Sequence, residues 1–138
     1  MPAIFESPHV WRYLAAWFVM LLVSIANGMV RDFTYGTQMS PLAAHQVSTV
    51  CGMVLLGIVI RFVDRLAPPF CAREAMEVGL FWAVLTLAFE FIFFHYVGGH
   101  SWVELLANYD VSAGRVWVFL VLWIAVAPSV FFLLRRRS

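Results

Sequence analysis

Four stretches of the chain stay apolar long enough to cross a bilayer, which takes roughly 20 residues per helix. They fall at about 11–30, 47–63, 78–97 and 116–134. Polar residues gather in short connections between them, so the chain reads as one domain over 1–138, without linker, repeat or low-complexity tract. None of the windows alternates apolar and polar positions as a barrel strand does, and an open sheet cannot satisfy its backbone in lipid. The pattern predicts an all-α, polytopic membrane protein with four transmembrane helices.

Local signals sharpen the boundaries. Ser7-Pro8 and Ser40-Pro41 each read as an N-cap followed by proline at the first helical position. The first helix then starts a turn ahead of its apolar window, and the second starts near Pro41. Pro68-Pro69 closes the loop after the second helix, and Pro128 should kink or loosen the fourth. In the loop 98–115, Ser101 and Glu104 have capping-box spacing. Trp102, Leu105, Leu106 and Tyr109 follow on one face of a short helix over about 102–109. That helix either lies flat on the outer interface, with Trp102 and Tyr109 at headgroup depth, or packs over the bundle mouth as a lid. The two placements differ in whether Trp102 faces lipid or protein.

Charge sets an orientation. All nine cationic residues are Arg. With four spans, Arg12, Arg61, Arg65, Arg73, Arg135, Arg136 and Arg137 share one side, and Arg31 and Arg115 the other. The positive-inside rule then places both termini and the loop 67–73 in the cytoplasm, with the loops 32–40 and 98–115 outside. Ser24-Ile25-Ala26 matches a small-x-small cleavage site, but the first helix is read as a retained span. Composition agrees with a membrane setting: 63% of residues are apolar, 17% aromatic and 12% charged. Soluble domains carry about 25% charge, and nucleic-acid binders need a basic surface. Arg61, Asp64, Arg65, Arg73, Glu74 and Glu77 sit at helix ends, where they can pair or snorkel. Arg135–Arg137 reads as an anchor at an anionic leaflet. Cys51 and Cys71 lie on opposite sides of the midplane, too far apart for a disulfide.

The polar residues inside the spans carry the candidate chemistry. Glu90 interrupts Leu87-Ala88-Phe89-Glu90-Phe91-Ile92 in the third span. A lone charge near the bilayer centre costs about 2.5–3.5 kcal/mol, so Glu90 must be neutral, paired or facing water. Gly79, Ala83 and Thr86 share its face, a small-residue stripe that predicts a packed side with Glu90 pointing inward. The first span offers Ser24, Asn27, Gly28 and Arg31 on one face, and the second offers His45, Thr49 and Gly52. These stripes lie at similar depth. They predict an Arg31–Glu90 pair, direct or through water, with Asn27, His45 and Thr49 around it. Such a pair either binds or passes an ion, proton or solute, or only fixes helix register. His45 and His95, on two helices, are the candidate ligands for a haem or metal, although no two histidines share a ligand spacing on one helix.

No GxSxG, HExxH, P-loop or dinucleotide fingerprint is present, and no paired aspartates lie within the spans, so no enzyme and no cofactor are expected. Phe89-Glu90, Gly98-Gly99-His100-Ser101-Trp102-Val103-Glu104 and Gly114-Arg115-Val116-Trp117, with Asn27-Gly28-Met29-Val30-Arg31 upstream, resemble a small four-helix bacterial inner-membrane family. The resemblance implies that fold across most of the chain and brings no activity or ligand. Fluoride channels share only its size, and small multidrug transporters place their carboxylate in the first helix. The expected function is non-enzymatic: binding or passage of a small ion, proton or solute by a homo-oligomer in the bilayer. The alternatives are an accessory or assembly subunit of a larger membrane complex, and a haem-binding redox subunit.

Overall fold

A computed structural model of the chain describes residues 8–107 and 109–137. Four helices in it are long and apolar enough to cross a membrane. They are α1 (Val10–Phe33), α2 (Pro41–Leu66), α3 (Ala72–Tyr96) and α5 (Trp117–Arg137), with the short α4 (Trp102–Ala107) between the last two. α1 and α2 contain their apolar windows and run past both ends, while α3 stops one residue short of the end of its window at Tyr96 and α5 begins one residue late at Trp117. No strand occurs among the described residues.

The Ser40-Pro41 start forms as expected. Ser40 Oγ accepts the Ala43 N–H at 3.2 Å, and Pro41 sits where its missing N–H costs nothing. At the other candidate start, α1 begins at Val10 with His9 as N-cap, and Ser7 lies outside the described residues. Ser101 Oγ caps α4 through the Glu104 N–H at 3.2 Å. α4 stops at Ala107, short of the helix its spacing predicts; Asn108 lies outside the described residues. α5 continues through Pro128.

Around the bundle the order is α1, α2, α5, α3, with close packing of α1 on α2, α2 on α5, and α3 on α5. The α3–α5 contact is the tightest. A Cβ at Gly79 would land on the Ala125 backbone carbonyl, so the small-residue stripe does what it predicts and lets two backbones touch. The core between the helices holds Tyr13, Met20, Leu56, Ile60, Val78, Trp82, Leu120 and Ile124, each at most 2% exposed. The outward faces are apolar too: Leu22, Phe62, Val84 and Ile92 are all more than half exposed. Such a surface needs lipid or protein around it.

α1 and α3 have no comparably close backbone packing among the described residues. Aromatic donors join them instead. Trp82 Nε1 donates to the Tyr13 carbonyl at 2.8 Å, and Trp17 Nε1 to Thr86 Oγ1 at 3.1 Å. Tyr13 Oη in turn donates to the Ala67 carbonyl past the end of α2 at 2.9 Å. Buried Tyr and Trp carry one polar atom each, and here each finds an acceptor. All of these staples lie in the half of the bundle that holds the start of α1 and the end of α5.

That same end gathers the helix-end charges. Asp64 is 4% exposed and meets Arg61 at 3.2 Å and Arg135 at 3.4 Å. Glu74, 3% exposed, accepts the Phe70 N–H at 2.8 Å and so closes the Pro68-Pro69 loop onto the first turn of α3. Arg73 pairs with Glu77 at 2.9 Å. Cys51 and Cys71 are both free.

Candidate functional site

At the opposite end the helices part around a cavity of about 660 Å³, bounded by α1, α2, α3, α4 and the start of α5. One wall is the α1 stripe. Ser24, Asn27, Gly28 and Arg31 all line the cavity, as their spacing predicts. Asn27 Nδ2 donates to the Ser48 carbonyl at 2.9 Å and lies 3.2 Å from Ser48 Oγ. Arg31 Nη1 reaches Ser48 Oγ at 3.3 Å, and Arg31 Nε pairs with Asp32 at 3.0 Å. Gly52 makes room for this contact, since a Cβ there would press on Leu120 Cδ1 at 2.9 Å and on Asn27 Nδ2 at 3.3 Å.

The facing wall carries Glu90, which points inward as expected. Tyr109 Oη donates to one carboxylate oxygen, and Trp117 Nε1 to the other at 2.6 Å. Glu90 therefore forms no direct ion pair with Arg31. Each is held by other groups, and both look into the same cavity. Tyr109 turns inward rather than outward to headgroup depth. Its phenol is half-buried, and that burial together with the Glu90 charge raises its pKa well above the usual tyrosine range, so it remains a donor.

The floor is Trp17, Met20, Leu56, Thr86 and Ile124, continuous with the core below. The roof is α4. Its one buried residue, Leu105, faces the cavity, while Trp102 stacks on His95 with ring centroids 3.7 Å apart. Leu105 thus turns α4 toward the cavity, while Trp102 stays 45% exposed, so α4 combines features of both expected placements.

Of the remaining candidates, His45 lines the cavity and its ring lies 5.6 Å from that of Trp117. Thr49 is fully buried, and its hydroxyl bonds back to the His45 carbonyl at 2.8 Å, so it packs between helices instead of lining the cavity. His95 stands apart from His45, against Trp102, with Nδ1 donating to the His100 carbonyl at 2.8 Å. Among the described residues no three His, Cys, Asp or Glu side chains converge as metal ligands.

Three contributors escape the sequence reading. Ser48 takes the place at the α1–α2 contact expected of its neighbour Thr49. Tyr109 is read only as part of the short loop helix and Trp117 is given no role, yet both satisfy Glu90. The available signal was chemical: an isolated intramembrane carboxylate needs donors, and Tyr and Trp are apolar residues that carry one.

The roof has its own electrostatic fastening. His100 Nδ1 lies 2.9 Å from Glu104 Oε2, and this bond, with help from the Ser101 amide and hydroxyl, holds the Glu104 carboxyl below the usual range. A depressed carboxylate pKa contributes stability above the unfolded value and loses it as pH falls through the folded one. A nitroxide at the exposed Val103 is therefore expected to gain mobility as pH falls below the usual carboxylate range, and Glu104→Gln should abolish that transition. A pH-independent spectrum in the unsubstituted background would contradict the fastening.

No protein-family profile, no curated protein and no solved structure matches this chain.

Proposed function

We propose that this is a non-enzymatic integral membrane protein whose cavity binds a small solute in the outer half of the bacterial inner membrane, with both termini cytoplasmic. The observation that carries the reading is one cavity lined together by Glu90, Arg31, Asn27 and His45. Intramembrane ionisable residues that line a shared cavity mark ligand sites more often than lipid-facing ones do. The packed core beneath Trp17, Leu56 and Ile124 favours binding over passage through one copy. The arginine distribution supports the orientation. The apolar outer faces suit lipid, a second copy or a partner subunit equally.

A second reading rests on a different observation. Both Glu90 oxygens are satisfied within the chain. In that reading the carboxylate is a structural pin, and the protein serves as an accessory subunit of a larger complex.

Native mass spectrometry of protein extracted in mild detergent separates the two. Solute binding predicts a retained small molecule that is lost in Ser24→Phe, which fills the cavity wall, while the fold survives. A folded protein that carries no small molecule but co-purifies with larger subunits favours the pin.

A further inference from the structure

Resting on the cavity reading above, we infer that the ligand is an amphipathic oxyanion, its carboxylate or phosphate head held by Arg115, His45 and Arg31 and its apolar tail laid along the α1–α3 seam.

Three nitrogen-bearing side chains from three elements meet at the upper cavity. His45 Nε2 is buried and has no hydrogen-bond partner. A buried polar atom left unsatisfied is rare and calls for a partner that binds there. Arg115 lines the cavity and makes no ion pair among the described residues. Its backbone is nonetheless fixed. Gln46 Nε2 donates to the Gly114 carbonyl at 2.7 Å, and Gly114 adopts φ 84°, a conformation open to glycine, which pins the turn before Arg115 onto α2. Arg31 uses Nε on Asp32 and Nη1 on Ser48, which leaves Nη2 beside Gly28 open toward the cavity. All three line the same cavity.

The acids nearby are already engaged. Asp32 is held by Arg31, Glu104 by His100, and Glu90 by Tyr109 and Trp117. The Trp117 ring lies beside His45 while its N–H faces Glu90, so it separates that carboxylate from the cationic group. Arg115 is the cavity guanidinium without an ion pair among the described residues, and guanidinium groups suit the planar or tetrahedral oxygens of carboxylate and phosphate.

Below the head site the lining turns apolar through Leu21, Trp17 and Phe89. Ile25 and Phe94 also line the cavity and keep 48% and 40% exposure. They flank the seam where α1 and α3 lack close backbone packing. A tail can therefore enter sideways from the bilayer. The head can come from a free long-chain acid or from an anionic phospholipid, which present the same chemistry.

The test uses the full chain in phosphatidylcholine nanodiscs. Laurate, dodecanol and dodecylamine are titrated while tryptophan fluorescence is followed. Saturable laurate binding at least tenfold tighter than that of dodecanol or dodecylamine is expected. Arg115→Gln and His45→Gln, each with an unchanged thermal midpoint, should each weaken laurate at least tenfold and leave dodecanol unchanged. If phosphatidylglycerol in the disc competes with laurate, the head is a lipid's; if it does not, a free acid's. Equal binding of laurate and dodecanol, abolished by Ser24→Phe, overturns the oxyanion and leaves the cavity reading standing. Absence of saturable binding by all three overturns both.

Discussion

Gly79→Ala is expected to lower stability by about 1–3 kcal/mol, the usual cost of forcing a methyl into a filled interface, and more where the obstacle is backbone. The added Cβ would collide with the Ala125 carbonyl oxygen, and a backbone carbonyl inside a helix cannot swing aside as a side chain does. Relief has to come from moving α3 off α5. That parts Val78 and Trp82 from Ile124 and Ala127, all at most 2% exposed. It also shifts Trp117 at the start of α5 relative to Glu90 on α3. A thermal melt in detergent followed by circular dichroism measures the loss. Gly28→Ala is the matched control. Its Cβ would meet only Arg31 Nη2, at an ordinary 3.6 Å, and alanine is a better helix former than glycine by up to about 1 kcal/mol. That variant should be neutral or more stable. Equal destabilisation of the two would refute the backbone-contact account of α3 and α5.

Glu90→Ala should come next in effect. It removes the acceptor of two donors, Tyr109 Oη and Trp117 Nε1, that fasten the post-α4 turn and the first residue of α5 to the middle of the bundle. Hydrogen bonds to charged groups contribute about 1.5–3 kcal/mol each, and a donor left unsatisfied where water is scarce carries its full desolvation cost. Glu90→Gln retains one acceptor oxygen and turns an NH2 toward the other donor, so its loss should be smaller. Tyr109→Phe combined with Glu90→Ala should cost less than the sum of the two alone, since both break one bond. Hydrogen exchange over residues 102–107 should rise in Glu90→Ala and stay low in Glu90→Gln. Identical exchange in both would mean that α4 is held by Leu105 and the His100–Glu104 link alone.

Much of this architecture is written in the order of residues. Long apolar windows dictate helices because lipid offers no partner for backbone groups, and Ser40-Pro41 marks a start because both residues solve the same orphan-donor problem. The α1 stripe of Ser24, Asn27, Gly28 and Arg31 comes together along one cavity wall because helical spacing alone aligns it. Partners between helices are a different matter. Ser48 and Thr49 are adjacent, and which of them meets Asn27 depends on a rotation of α2 that no local pattern encodes. Arg31 and Glu90 lie near one level, yet depth carries no information about azimuth, and nearer partners satisfy each. Tyr109 depends on where a turn with no periodicity of its own places one side chain. Its inward turn follows from the needs of Glu90, a residue far away in sequence.

The aromatic staples between α1 and α3 have a mechanical consequence. They are confined to the half of the bundle nearer the termini, at Tyr13, Trp17, Trp82 and Thr86. Toward the cavity no such aromatic donor joins the two helices among the described residues. The bundle works as a clothes-peg does, with its spring at one end and its jaws at the other. A rocking of α1 about Trp17 would be magnified at Ile25 and Gly28, and α2 would have to follow it, since Asn27 and Arg31 bond Ser48 there. The length of that lever, from Trp17 to Gly28, then sets how far the jaws part for a given strain at the spring.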